Sequence, residues 1–240
     1  MGKRLIDLTL PVKTQFDWTK YPARRAYGQW EPPTILTTFT TVEREGLMMQ
    51  RLETTTQSFT HFDAPRHFFT EGLAADEVPL DRFIGEAVVM DMLHKQPGDA
   101  VRAQDLEDSR TDIKHGDIAL IRTGWTERGP WGSERFWRDM IFLEEDACDW
   151  LLARRIRSLA LDFQADVKPF NVCEGCGQLT PSGRGSPNHV KFLQAGVVLL
   201  EWLTNLSQLR QPRVFLMALP LKLVGADGAP MRVIAMEEAL

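Results

Sequence analysis

The chain has 240 residues and a formal net charge of −5, with charged side chains of both signs spread along its length. This acidic balance opposes a nucleic-acid surface, which needs clustered Lys and Arg. No apolar run approaches the roughly 18 residues of a membrane-spanning helix, and the basic pair Lys3-Arg4 has no apolar stretch behind it, so we expect no membrane association and a cytoplasmic location. The length suffices for a large core within one domain spanning residues 1–240.

In chain order, β-branched content and turn boundaries predict strands at Thr34 to Thr41, Leu47 to Thr56, Ala87 to Met92, Asp117 to Arg122, Ser158 to Phe163, Val197 to Trp202 and Val214 to Leu219. Trp125, Trp131 and Trp137 follow the fourth of these and offer a wall for a flat ligand, or aromatic filling for a core. Glu144 to Arg155 reads as a helix, with Ala147, Trp150 and Leu151 on one face, acids early and arginines late. A helix leading into a strand, within a chain too strand-rich for a bundle, indicates an α/β mixed-sheet fold. Asp162 and Asp166 read as structural carboxylates. Cys173 and Cys176 form a Cys-x-x-Cys in a Gly-rich stretch. With Cys148 they are too few for a four-ligand structural zinc site, and the strand-to-helix context of a thioredoxin-like pair is lacking, so free loop thiols are expected.

The chemistry concentrates in Gln57 to His67, which holds two of the five histidines of the chain with an acid between them. On a strand, His61 and Asp63 share a face and can reach a common ion; Pro65 then ends the pairing and His67 lies beyond the bend. Imidazole nitrogen together with carboxylate oxygen suits zinc, manganese or iron. Farther on, Ser186 to Gly196 reads as a short helix with Ser186 as cap, Pro187 in its first turn and Gly196 as its stop. A continuous helix would leave Glu201 about 18 Å from His189. A turn at Gly196 and a returning strand would bring His189 and Glu201 to one metal; the alternative is an edge-strand Glu201 facing solvent.

These segments resemble the cyclase family of metal-dependent hydrolases, which includes kynurenine formamidase and isatin hydrolase and has the signature His-x-Gly-Thr-His-x-Asp-x-Pro-x-His. Thr60, His61, Asp63, Pro65 and His67 match in register, as do Ile6 to Thr9, Ile121 to Trp125, His189 with Glu201, Ala218 to Leu221 and Gly228 to Arg232. The resemblance implies a compact β/β/α swivelling-domain-like fold, a homodimer or homotetramer, and a small-molecule substrate. It implies one or two divalent ions, zinc first and manganese as the alternative. His61 and Asp63 would bind one, Asp63 would bridge to a second on His189 and Glu201, and His67 would be the general acid/base. Amide, formamide or lactam hydrolysis is the expected reaction, with a lactone or ester hydrolase and a non-catalytic metal or small-molecule binder as alternatives. Two positions depart from the signature. Gln57 replaces the first His and offers only a neutral amide oxygen, a weak ligand, while Phe59 replaces the Gly and gives up backbone freedom. Phe59 and Trp125 are the candidate substrate-contacting side chains. Phe163 to Asp166 also differs from the Ser-containing segment of the family.

Overall fold

Four consecutive parallel strands form the middle of the sheet, and each is an apolar run because both of its faces are covered. The computed structural model describes residues 2–14, 32–129, 133–168, 170–172, 179–181 and 184–238; Trp131, Cys173 and Cys176 lie outside them. In chain order the strands are β1 (Lys3–Asp7), β2 (Ile35–Thr40), β3 (Met49–Glu53), β4 (His61–Asp63), β5 (Ile84–Asp91), β6 (Ala100–Val101) and β7 (Ile118–Arg122). There follow β8 (Phe142–Leu143), β9 (Ser158–Leu161), β10 (Phe170–Val172), β11 (Leu179–Pro181), β12 (Val198–Glu201), β13 (Arg213–Pro220) and β14 (Gly228–Glu238).

The main sheet has the order β1-β14-β13-β5-β7-β9-β12-β4, and β4 pairs again with β14. That second pairing closes the sheet into a barrel-like ring, with β1 flanking β14 outside it. Strands β5, β7, β9 and β12 are parallel, whereas β13, β14, β1 and β4 join antiparallel. Alternation along the strands supplies two cores: Leu159, Leu161 and Leu199 belong to one, Ala160 and Leu200 to the other. The mixed α/β architecture is the one expected.

Every predicted strand is present, with ends shifted by a few residues. Six of the described strands were not predicted: the short β6, β8, β10 and β11, and two in the main sheet, β1 and β14. β1 is short, and β14 contains Pro230 and the charged Arg232, Glu237 and Glu238, which break its apolar signal. The predicted helix is Glu145–Ala153, but its buried stripe is Ala147, Cys148 and Leu151. Trp150 is only partly covered, donating to Glu107 with Arg154 over its ring. Burial pushes the Cys148 thiol up to about 12, so it serves as an apolar side chain in the core. Among the described residues, no helix is long and apolar enough to cross a membrane.

Asp162, at the end of β9, is structural as expected. Its carboxylate accepts the backbone N–H of Thr123 (3.0 Å), Gly124 (2.6 Å) and Trp125 (3.1 Å) and the Thr123 hydroxyl (2.8 Å). Gly124, at φ 72°, makes the turn that aims these donors at it. Burial pushes Asp162 up to about 6 against the pull of those bonds. Since each buried donor left without a partner costs about 1–3 kcal/mol, Asp162→Ala should destabilise the chain by roughly 3 kcal/mol or more. A lowered urea midpoint would show this; an unchanged midpoint would mean the turn holds without the carboxylate.

Candidate active site

Antiparallel register places Glu201 of β12 directly opposite His61 of β4, and Leu199 opposite Asp63. Residues opposite one another share a face, so Glu201 joins His61 and Asp63 while Phe62 points into the core behind. The helix Pro187–Gln194 ends before Gly196, whose φ of 72° reverses the chain into β12 and brings His189 over the same face. Glu201 is therefore buried at 4% exposure, and the solvent-facing alternative is excluded.

The four side chains interleave. His61 Nε2 lies 3.4 Å from Asp63 Oδ1 and 3.9 Å from Glu201 Oε2; His189 Nε2 lies 3.2 Å from Asp63 Oδ2 and 3.5 Å from Glu201 Oε1. A tetrahedral ion with bonds of about 2.0–2.1 Å sets its donor atoms about 3.3–3.4 Å apart, close to these separations. One donor atom each from His61, Asp63 and Glu201 lie within 4.8 Å of one another. Asp63 Oδ1 and Glu201 Oε1 are buried with no hydrogen-bond donor, an expensive state for carboxylate oxygens unless a cation faces them. The residues present thus fit a divalent metal.

Both histidines are oriented from behind. His61 Nδ1 donates to the Phe59 carbonyl (2.8 Å), and His189 Nδ1 donates to Asp166. These bonds put a proton on Nδ1 and turn Nε2 toward the carboxylates, so that Nε2, once deprotonated, is the atom each imidazole would offer to a metal. Asp166 also accepts the N–H of Asn188 (2.8 Å), which caps the helix, a role expected of Ser186, whose side chain makes no capping bond. Asp166 is thus more than structural: it sets the second histidine. Burial opposes charge on His189, but Asp166, Asp63 and Glu201 outweigh it and raise its pKa well above the ordinary value. His61 is likewise raised, burial being outweighed by Asp63 and Glu201. Burial, helped by the charge of Asp63, pushes Glu201 up to about 7 despite the two histidines. Asp63, equally buried, is held well below the usual carboxylate range by His189 and His61.

His67 lines the same cavity, beyond the turn at Pro65, and donates from Nδ1 to Asp227 at 2.9 Å. Gln164, Phe68, Ser186 and Trp202 contribute further walls. Gln57 reaches the cavity too, because the chain turns between residues 56 and 60 where an extended strand would have held it about 13 Å from His61. Its amide nitrogen is committed to Asp227 at 3.0 Å. Phe59 does not prevent the turn. It adopts φ 57° at a cost of about 1–2 kcal/mol and is 2% exposed in the core, where burying a Phe side chain is worth about 1.5–3 kcal/mol. It contributes its carbonyl to His61 and its ring to packing, so it is absent from the cavity wall.

Trp125 is likewise absent from the wall. It is 3% exposed and packs on Phe136 with ring centroids 5.4 Å apart, while Trp137 packs edge-on against Phe136 and Trp202. These aromatic rings close a core, and only Trp202 reaches the cavity. Asp227 was missed by sequence reasoning: it immediately precedes Gly228-Ala229-Pro230 at the start of β14, and nothing in the local pattern marks it as a partner of His67.

Residues 6–166 match the family profile described as "Putative cyclase", and the chain belongs to this family. His189 and Glu201 lie past the matched span, and the fold brings them to it. The kynurenine formamidase of Salinibacter ruber is 29% identical over 184 residues, covering 76% of this chain and 77% of that protein. A predicted metal-dependent hydrolase from Bacillus stearothermophilus has a similar structure, with TM-score 0.71 and 26% identity over 98% of this chain and 99% of that one. Isatin hydrolase A from Labrenzia aggregata, at 22% identity, shares the fold with TM-score 0.78, covering 99% of this chain and 94% of that one.

Asp63 faces both histidines, so Asp63→Ala should remove most bound metal, whereas Asp166→Ala should weaken affinity by roughly 10–100-fold, as is usual when the partner of a ligating histidine is lost. Zinc titration into metal-free protein distinguishes them; native affinity in Asp63→Ala would place the ion elsewhere.

Proposed function

We propose that this chain is a metal-dependent hydrolase of non-peptide C–N bonds, with a formamide on an aromatic amine as the first substrate class to test and ring opening of an isatin-type lactam as the second. The observation that carries the reading is the cavity that places His67 beside the buried set His61, Asp63, His189 and Glu201. The kynurenine formamidase and isatin hydrolase relatives support the substrate class.

A divalent ion held by His61, Asp63, His189 and Glu201 would polarise the carbonyl under attack and lower the pKa of water toward about 7. Zinc fits the imidazole and carboxylate donors best, with manganese the alternative, and the four residues would hold one or two ions, His61, Asp63 and Glu201 forming the tightest set. His67 presents Nε2 to the substrate, since its Nδ1 is engaged. As general base it takes the proton of the attacking water, and as general acid it returns that proton to the leaving nitrogen. Phe68 and Trp202 flank the reacting centre and limit access of bulk water. We read residues 1–240 as one domain that carries this activity. The hairpin of β2 and β3 exposes Phe39, Val42, Leu47, Met48, Met49 and Leu52, which supports a homodimer or homotetramer built through it.

A panel of formamides, lactams and lactones, assayed with added zinc or manganese, tests the activity. His67→Ala should keep its metal while turnover falls by roughly 10²–10⁴-fold. Loss of metal in that variant would make His67 a ligand, and metal binding without turnover of any panel member would favour a binding protein.

A further inference from the structure

Four side chains, Thr56, Gln57, His67 and Asp227, form one hydrogen-bonded group, and two of them, Gln57 and His67, line the cavity. The Asp227 carboxylate accepts from the Thr56 hydroxyl at Oδ1 (2.7 Å) and from both Gln57 Nε2 (3.0 Å) and His67 Nδ1 (2.9 Å) at Oδ2. A carboxylate only accepts, so His67 carries its proton on Nδ1 and keeps Nε2 for other work. Gln57 Nε2 and His67 Nδ1 lie 3.4 Å apart; both are donors, and what joins them is the oxygen they share. Turning the amide over would set its oxygen against the carboxylate, so the nitrogen faces Asp227.

The backbone builds this arrangement. The Asp227 carbonyl accepts the N–H of Ala64 (2.9 Å), and Gly228 pairs with Asp63 across β14 and β4, which ties Asp227 to the segment carrying the metal ligands and His67. A Cβ at Gly228 would sit 2.7 Å from Gln57 Nε2 and 2.3 Å from the Phe62 carbonyl oxygen. Glycine at this position opens the space through which Gln57 reaches Asp227. The same Gln57, expected from the signature as a weak metal ligand, spends its amide nitrogen on Asp227.

We propose that Asp227, held by Thr56 and Gln57, is the positioning residue for His67: it selects the Nδ1–H tautomer and fixes the ring so that Nε2 carries the proton in the hydrolysis proposed above, on which this role rests. In that reaction Nε2 receives a proton as the water oxygen bonds to the carbonyl carbon. It then gives the proton to nitrogen as the C–N bond breaks, and Asp227 remains ionised throughout, compensating the imidazolium. An amide needs this proton because its nitrogen is a poor leaving group; a nitrophenyl ester, whose phenolate departs as an anion, needs it far less.

Two measurements test the role. In metal-free protein labelled with ¹⁵N-histidine, at about pH 8.5 where an ordinary imidazole is neutral, His67 should be Nδ1–H. In Asp227→Ala it should shift mainly to Nε2–H. With zinc added, Asp227→Ala should bind the ion with native affinity, lose roughly 10–10²-fold in kcat on an aryl formamide with little change in KM, and lose far less on nitrophenyl formate. The double variant with His67→Ala should be no slower than His67→Ala alone, because the two residues act as a unit. The isosteric Asp227→Asn guards against misfolding and should show the same amide-over-ester loss in milder form. A native Nε2–H tautomer, equal losses on amide and ester, or an additive double variant would overturn the positioning role. The expected tautomers with no turnover of either compound by the native protein would instead overturn the hydrolase reading and Asp227's part in it.

Discussion

Two carboxylates and two imidazoles are buried face to face in the wall of an otherwise apolar barrel, and the local structure is organised around making that tolerable. An unpaired buried charge costs several kcal/mol, and removing one partner of a buried pair typically costs about 3–5 kcal/mol. Here each carboxylate oxygen faces an imidazole nitrogen at 3.2–3.9 Å. Each imidazole is in turn fixed through its far nitrogen, by the Phe59 carbonyl or by Asp166. The requirement reaches into the fold: β4 must pair with both β12 and β14, which closes the ring, and the helix before β12 must end where it does for His189 to face Asp63.

The departures from the family signature follow from the same constraint. His61 needs a backbone acceptor at its Nδ1, and the left-handed conformation of residue 59 accompanies the turn that provides it. Glycine adopts that conformation freely; Phe59 adopts it because its ring is buried in the aromatic core, and the burial offsets the backbone cost. Gln57 lies at the start of the same turn. An amide there is a poor metal ligand but a good donor, and Asp227, which needs donors, stands beside it.

Much of this was legible in the chain because it is local. His61 and Asp63 alternate on a strand, Pro65 and His67 follow a bend, and Gly196 between a helix and an apolar run announces the reversal that carries Glu201 back to His189. The partners that orient these groups were not legible. Asp166 and Asp227 reach their histidines across 23 and 160 residues of chain, and nothing in the local pattern separates them from the other acids. Trp125 failed as a wall residue for a related reason: an aromatic after a glycine turn looks the same whether it faces a cavity or a core, and the Asp162 clamp turns this one into the core. Strand β14 was hidden by Pro230, which the strand accommodates where it meets β4.

The X-ray absorption spectrum of zinc-loaded protein addresses the buried donor set most directly, because it reads the ligand atoms independently of any substrate. His61, His189, Asp63 and Glu201 should give nitrogen and oxygen neighbours at about 2.0–2.2 Å with the multiple-scattering pattern of two imidazoles. A shell containing sulfur at about 2.3 Å, or one of oxygen alone, would contradict it and move the metal away from this site.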